Sequence, residues 1–252
     1  MQIDLNCDMG EGFGRYDIGQ DAELMPLISS ANVACGFHAS DPSTMHRTVK
    51  LAKEYDVAIG AHPSFPDLVG FGRREMAASP AEIRDDVMYQ VGALLAFCKA
   101  EGVPLRHVKP HGALYNLAAR DHHVAMAIAA AVHSVDPALY LVGLCGSAME
   151  AAAGEAELKF AGEAFADRQY RKDRRLVSRR EHGAVLADPE VVAERVVRMV
   201  RDGEVTAVDG TGISIDPKTV CVHGDTPGAV ALLRAIRRRL EGEKIGVKSF
   251  GG

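Results

Sequence analysis

Six places along the chain carry a pair of ionisable side chains, each just after a short apolar run: Asp8 and Glu11, His38 and Asp41, His62 and Asp67, Lys109 and His111, Glu163 and Asp167, His223 and Asp225. Imidazoles and carboxylates move protons near neutral pH, and an ammonium such as that of Lys109 is a compact charge for an anion. A single histidine at a strand end is usually a packed structural residue. Four of them, each beside an acid or a lysine, are hard to place by packing alone, because polar groups near a core are costly without partners. An active site is the expectation. Asp8, His38 and His62 would also form a carboxylate and two-imidazole set for a divalent cation that activates water; a proton-transfer and hydrogen-bonding network is the competing reading.

The stretch KPHGALYN, residues 109–116, concentrates this chemistry just before a helical pattern. Lys109 and His111 lie two apart and so share one face of a strand, while Pro110 points the other way and fixes the backbone between them. In DMGEGFGRYD, Gly10, Gly12 and Gly14 make a loop whose backbone could approach a ligand closely, or a simple turn. It is not a phosphate loop of the common kind, since GxxxxGK[ST] occurs nowhere in the sequence.

Elements that could bring these residues together are legible as apolar runs alternating with helical patterns, the mark of repeated βα units and a parallel sheet. The expected strands are 3–8, 31–37, 57–63, 107–112, 139–144, 158–166 and 219–224. Helix starts are marked by Asp41-Pro42, Ser79-Pro80 with Glu82, Asp188-Pro189 with Glu190, and Thr226-Pro227, each a capping side chain before a proline at the first helical position. After Ser79, the residues Ile83, Val87, Val91, Leu94, Leu95 and Cys98 recur at helical spacing and define one buried stripe. Seven βα units in a single domain over 1–252 could close into a barrel, and barrels of this type carry their sites at the carboxyl ends of the strands, where all the ionisable pairs fall.

Composition narrows the partners. The 252 residues are 47% hydrophobic, and 29 basic against 34 acidic side chains leave a formal charge of −5, which argues against nucleic acid and against a membrane surface. The N-terminus has no secretory pattern and no apolar run is long enough to span a bilayer, so a cytoplasmic location is expected. Five scattered cysteines without CxxC spacing read as reduced thiols that fill the core. The basic segment 167–180, DRQYRKDRRLVSRR, breaks the rhythm and is either a solvated surface loop or a loop that closes over an anionic ligand.

Taken together, DLNCDMGEGFGRYD, SANVACGFHASDP, IGAHPSFPDLVGFGRR, VKPHGALYN, EAFADRQY and CVHGDTPGAV resemble the signature blocks of the LamB/YcsF family, in the family's order, from residue 3 to about residue 240. The resemblance implies a TIM-like (β/α)7 barrel similar to the glycoside hydrolase/deacetylase superfamily. It also implies ATP-dependent opening of 5-oxoproline to L-glutamate, carried out with 5-oxoprolinase subunits B and C. One departure stands out: where the family usually has a glycine and then a proline after the EAFADR block, this chain has Arg174 and Ser178.

A five-membered lactam resists hydrolysis through amide resonance, and phosphorylation of its oxygen by ATP would leave a carbon open to water, a general base and an oxyanion stabiliser. In that scheme Asp8 or Asp225 is the expected base, and His38, His62 and His111 are proton-transfer or orienting groups. Lys109 is the cation facing a carboxylate or phosphate, and Glu11, Asp41, Glu163, Asp167 and His223 are expected to bind substrate. Two alternatives stay open: a self-sufficient metal-dependent amidase or deacetylase, and a non-catalytic subunit that only binds the lactam.

Overall fold

The computed structural model describes residues 1–179, 181–224 and 228–250. Its strands, in chain order, are β1 (Gln2–Met9), β2 (Ser30–Ala34), β3 (Ala58–His62), β4 (Leu105–Val108), β5 (Tyr140–Leu144), β6 (Lys159–Phe165), β7 (Glu204–Thr206), β8 (Gly212–Ser214), β9 (Thr219–Cys221) and β10 (Gly246–Val247). β1 to β6 lie parallel and in order, β9 follows β6, and β9 pairs back onto β1, so seven strands close a barrel. Closure is visible in the register. β1 meets β2 through residues 6–9 but β9 through residues 4–6, the stagger that tilted barrel strands require.

The connecting helices are α1 (Asp21–Leu24), α2 (Pro42–Glu54), α3 (Pro80–Glu101), α4 (Gly112–Ala118), α5 (His122–Val135), α6 (Ala148–Glu155), α7 (Pro189–Arg201) and α8 (Ala229–Gly242). Three of the expected caps form. Asp41 accepts from the backbone of Ser43 and Thr44, Asp188 from Glu190 and Val191, and Ser79 with Glu82 makes a reciprocal capping box. Thr226-Pro227 lies outside the described residues. On α3 the residues Ile83, Val87, Val91, Leu94 and Cys98 are buried and Leu95 is half-buried, with Arg84, Asp85 and Lys99 in solvent. No helix among the described residues is long and apolar enough to cross a membrane.

The differences from expectation have local causes. The fourth strand ends at Val108, short of 112. Backbone N–H groups of Lys109 and His111 still donate to Ala61 and Pro63 on the β3 side (2.9 and 2.8 Å), but Pro110 has no N–H for the β5 side, and that pairing stops. β4 is followed by two helices, and β6 by the irregular stretches 166–179 and 181–188. The small antiparallel hairpin of β7 and β8 and the tail strand β10, which pairs with the start of β1, were not expected.

Inside the barrel the filling is polar, where barrels of this kind usually pack branched apolar side chains. On β1, Asp4, Asn6 and Asp8 alternate with Leu5, Cys7 and Met9, and all six are buried. Asp4 accepts from Ser29 (2.7 Å), Ser30 (2.6 Å) and Thr219 (2.5 Å); Asn6 donates to Glu163 (3.0 Å) and Thr219 (2.6 Å). Asn32 of β2 donates to Asn6 (2.7 Å) and Asp8 (2.9 Å), and its carbonyl oxygen lies 2.8 Å from Nε2 of His107 on β4. β2 and β4 are not neighbours, so that last bond crosses the interior. Gly60 of β3 makes room for it: a Cβ there would fall inside the His107 ring.

Candidate active site

The top of this polar column is Lys109. Its Nζ lies 2.9 Å from Glu163, 3.0 Å from Asp8, and 3.2 Å from both the Asn6 oxygen and Cys221 Sγ, and the residue is only 2% exposed. Burial alone would pull the ammonium down; the carboxylates of Asp8 and Glu163 hold it well above the usual range. An ammonium has three donors, and these acceptors take them all. Lys109 therefore holds Asp8 and Glu163 in place and has no donor left for a substrate carboxylate. Burial would raise Asp8, yet the charges of His62 and Lys109 keep it well below the ordinary carboxylate range. Oδ1 of Asp8 serves Asn32, Lys109 and His62, while Oδ2 has no hydrogen bond among the described residues.

Beside Asp8 stand three histidines. Nδ1 of His62 faces the Lys109 carbonyl at 2.7 Å and Nε2 of His111 faces the Phe71 carbonyl at 3.0 Å; carbonyls only accept, so those nitrogens carry the hydrogens. The remaining nitrogens, Nε2 of His62 and Nδ1 of His111, then face each other at 3.0 Å. In neutral rings both present lone pairs, which requires a positive charge between them: a proton on His62, balanced by Asp8 at 3.2 Å, or a metal ion. His38 stacks on His111 (centroids 3.9 Å apart, 7° between planes), and neither of its ring nitrogens has a hydrogen bond among the described residues. Burial, reinforced by neighbouring imidazoles, holds His38 and His111 well below the usual range, in the neutral form that ligates metals. Gly72 allows the packing, since a Cβ there would come 2.8 Å from both residues.

Glu11, His38, His62 and His111 each bring one donor atom within 4.8 Å of the others, a set that fits a divalent cation. This is a different set from Asp8, His38 and His62. The structure gathers Asp8 instead with Cys221 and His223. Cys221 is a thiol pushed well up by burial, and although all five cysteines are buried and free as expected, this one touches Lys109 as well as filling space.

His223 donates Nδ1–H to Asp167 (2.9 and 3.1 Å), which leaves Nε2 as an acceptor. Burial would raise Asp167, but His223, Arg179 and Arg168 hold it down. The ring of His223 stacks on Phe165. Asp8, His62, Lys109, His111 and His223 line a cavity of about 1220 Å³ that opens at the carboxyl ends of the strands, walled by Tyr115, Arg73 and residues between 168 and 179.

Of the expected site residues, Asp8, His62, Lys109, His111 and His223 line this cavity, and Glu11, His38, Glu163 and Asp167 sit just behind them. Asp41 is elsewhere: it caps α2 and accepts from Gly14 N–H, which brings its carboxyl down to about 2. Asp67 braces its own loop through Arg74 and Gly70. Asp225 lies outside the described residues. The glycine loop is tied down, since Gly10 N–H goes to Asp21 and Gly14 N–H to Asp41, so those donors are not offered to a phosphate. Sequence reading missed Asn6, Asn32, His107 and Phe165; the alternation of Asp4, Asn6 and Asp8 was the available signal for the first. Arg174 adopts a positive φ of 68°, the conformation a glycine would hold without strain.

Comparison with known proteins gives concordant results. The model of the LamB/YcsF family matches residues 3–252. A protein of Natranaerobius thermophilus named as the A subunit of 5-oxoprolinase is 56% identical over 249 residues, covering 99% of this chain and 97% of its own. One of the same name from Staphylococcus carnosus is 54% identical over 252 residues, covering 100% of both. The crystal structure of a lactam utilization protein from Thermus thermophilus superposes with a TM-score of 0.95 at 50% identity, over 99% of this chain and 100% of that one.

Proposed function

This chain belongs to the LamB/YcsF family, and on that premise we propose that it is the A subunit of a 5-oxoprolinase, whose rim cavity binds 5-oxoproline for its ATP-coupled opening to L-glutamate. Relatives so named match end to end, and a lettered subunit implies partner subunits; on this reading they are subunits B and C. The observation that carries the reading is the juxtaposition, in one cavity, of an ionised carboxylate, Asp8, and an oriented imidazole, His223.

Phosphorylation of the lactam oxygen by ATP gives an imidate-like carbon. Water adds there, the C–N bond breaks, and a second water releases phosphate and glutamate. His223, its tautomer set by Asp167, is the base that takes the proton from water at Nε2. Asp8, kept ionised by Lys109, stabilises the cationic side of the site, and the His62–His111 pair relays a proton toward the ring nitrogen that leaves. Lys109 positions Asp8 and does not touch substrate. In place of the proton shared by His62 and His111, the set Glu11, His38, His62 and His111 would hold a divalent metal, which when bound would polarise an oxygen of the substrate or of water.

Glutamate release from 5-oxoproline, measured for this chain alone and with subunits B and C, with and without ATP, tests the proposal. Turnover is expected only with ATP and both partners. Glutamate formation by the chain alone, with metal and no nucleotide, would replace this reading with a self-sufficient amidase.

A further inference from the structure

The cavity is larger than a five-membered lactam needs. At about 1220 Å³ it exceeds the roughly 300–1,000 Å³ that encloses drug-sized ligands. It is also basic on an acidic protein. The whole chain has 29 basic and 34 acidic side chains, whereas among the described residues lining the cavity nine are arginine or lysine and five are aspartate or glutamate.

Several of these cations are paired at the outer lip. Arg120 meets Glu75, Arg171 meets Glu181, and Arg175 meets Asp173, all with substantial exposure. Arg168 is a different case. It is only 6% exposed, its Nη2 donates to the Val177 carbonyl at 2.5 Å, and its Nε has no hydrogen-bond partner among the described residues. Burial and the charge of Arg179, with a contribution from Arg73, bring its guanidinium down to about 10 against the opposing charge of Asp167. A buried guanidinium with an open Nε–H donor, lining a cavity that Arg73 and Arg179 also line, is an arrangement that a bound anion would satisfy.

We propose that Arg168, with Arg179 and Arg73, forms a subsite for a phosphoryl anion in the outer part of the cavity. It rests on the ATP-coupled reading above and deepens it: a phosphorylated species occupies this chain, between the imidazoles of the floor and the basic loop. The planar guanidinium fork matches phosphate oxygens, and the three guanidiniums come from two loops that line the same cavity. Two sources share that chemistry: the terminal phosphates of the nucleotide, and the phosphorylated lactam.

Calorimetric titration of the full chain with inorganic pyrophosphate, ADP and adenosine is the test, run on the wild type, Arg168→Gln and Arg73→Gln, with folding checked by circular dichroism. Arg73 is exposed, so its variant remains informative if Arg168→Gln does not fold. Pyrophosphate is expected to bind, adenosine not, and each substitution to weaken binding about tenfold or more, with the affinity falling as salt rises. Tight ADP binding assigns the subsite to the nucleotide. Pyrophosphate binding without ADP binding, together with lowered kcat and unchanged KM for ATP in the three-subunit complex, assigns it to the phosphorylated lactam. Pyrophosphate affinity that is absent, or that is equal in wild type and Arg73→Gln, overturns the proposal. So does loss of assembly with subunits B and C while anion binding is unchanged. Charge-dependent pyrophosphate binding in a complex that makes no glutamate would leave the subsite standing and remove the functional reading.

Discussion

Lys109→Met removes one positive charge from a place where two carboxylates depend on it. Methionine keeps the length of the aliphatic stem, so packing alone would let the fold survive. The structure argues otherwise: Nζ sits 3.0 Å from Asp8 and 2.9 Å from Glu163, with Glu163 fully buried. Deleting one partner of a buried ionic group leaves uncompensated charge and costs about 3–5 kcal/mol. In a chain of this size that lowers Tm by roughly 6–20 °C. The expected result of urea unfolding followed by circular dichroism is a shift of the midpoint at unchanged slope. The companion variant Lys109→Met/Glu163→Gln removes one of the two stranded carboxylates and should recover about 1–3 kcal/mol. Turnover of the three-subunit complex should fall about a hundredfold in the single variant, since Asp8 loses the group that fixes it. A single variant within about 1 kcal/mol of wild type, with no recovery in the double, refutes the reasoning.

Three further outcomes follow from the same geometry. Asp4 is raised to about 6, burial outweighing its three hydroxyl donors, so its ionisation destabilises the fold as pH rises from about 4 to 6 and the full penalty, on the order of 3 kcal/mol, applies above that range; Asp4→Asn should therefore gain stability relative to wild type between pH 4 and 7, and parallel unfolding curves at those two pH values would count against it. Asp167→Asn should leave folding largely intact and lower kcat of the complex by about 10²–10⁴ by freeing the tautomer of His223, with the loss read as kcat rather than KM. Zinc or cobalt titrated into the isolated chain should bind at one equivalent and lose affinity in His38→Ala, whereas equal binding by both proteins would leave a proton on His62 as the charge between the rings.

How far the sequence carries depends on the range of the interaction that decides each feature. Asp8, His62, Lys109, His111 and His223 were legible because each follows an apolar run at the same end of a βα unit, and the parallel topology delivers such ends to one rim. Capping pairs such as Ser79 with Glu82 were legible for the same local reason. The appearance of Glu11 and His111, in place of Asp8, among the possible metal ligands was not, since it turns on a few ångströms between side chains that follow different strands. Nor was the commitment of Lys109 to the column beneath it, which depends on Glu163, far along the chain on β6, crossing to meet it. The hairpin of β7 and β8 did leave a signal in Asp209-Gly210 between apolar residues, a turn pair that a reading focused on βα units passes over.

The polar interior also bears on the order in which the molecule can mature on the ribosome. β1 emerges first, yet Asp4 and Asn6 find their hydroxyl partner Thr219 on β9, and β1 completes its pairing only with β9 and β10. A nascent chain that has not yet reached Thr219 would hold the polar side chains of β1 in an unfinished barrel, facing one another without the groups that satisfy them. Productive closure waits for β9 to leave the ribosome, so the barrel is expected to fold all at once and only after that strand has emerged. Truncations that stop before Thr219 should accumulate as chaperone-bound or degraded chains, where a barrel filled with leucine and valine would tolerate a partly assembled sheet.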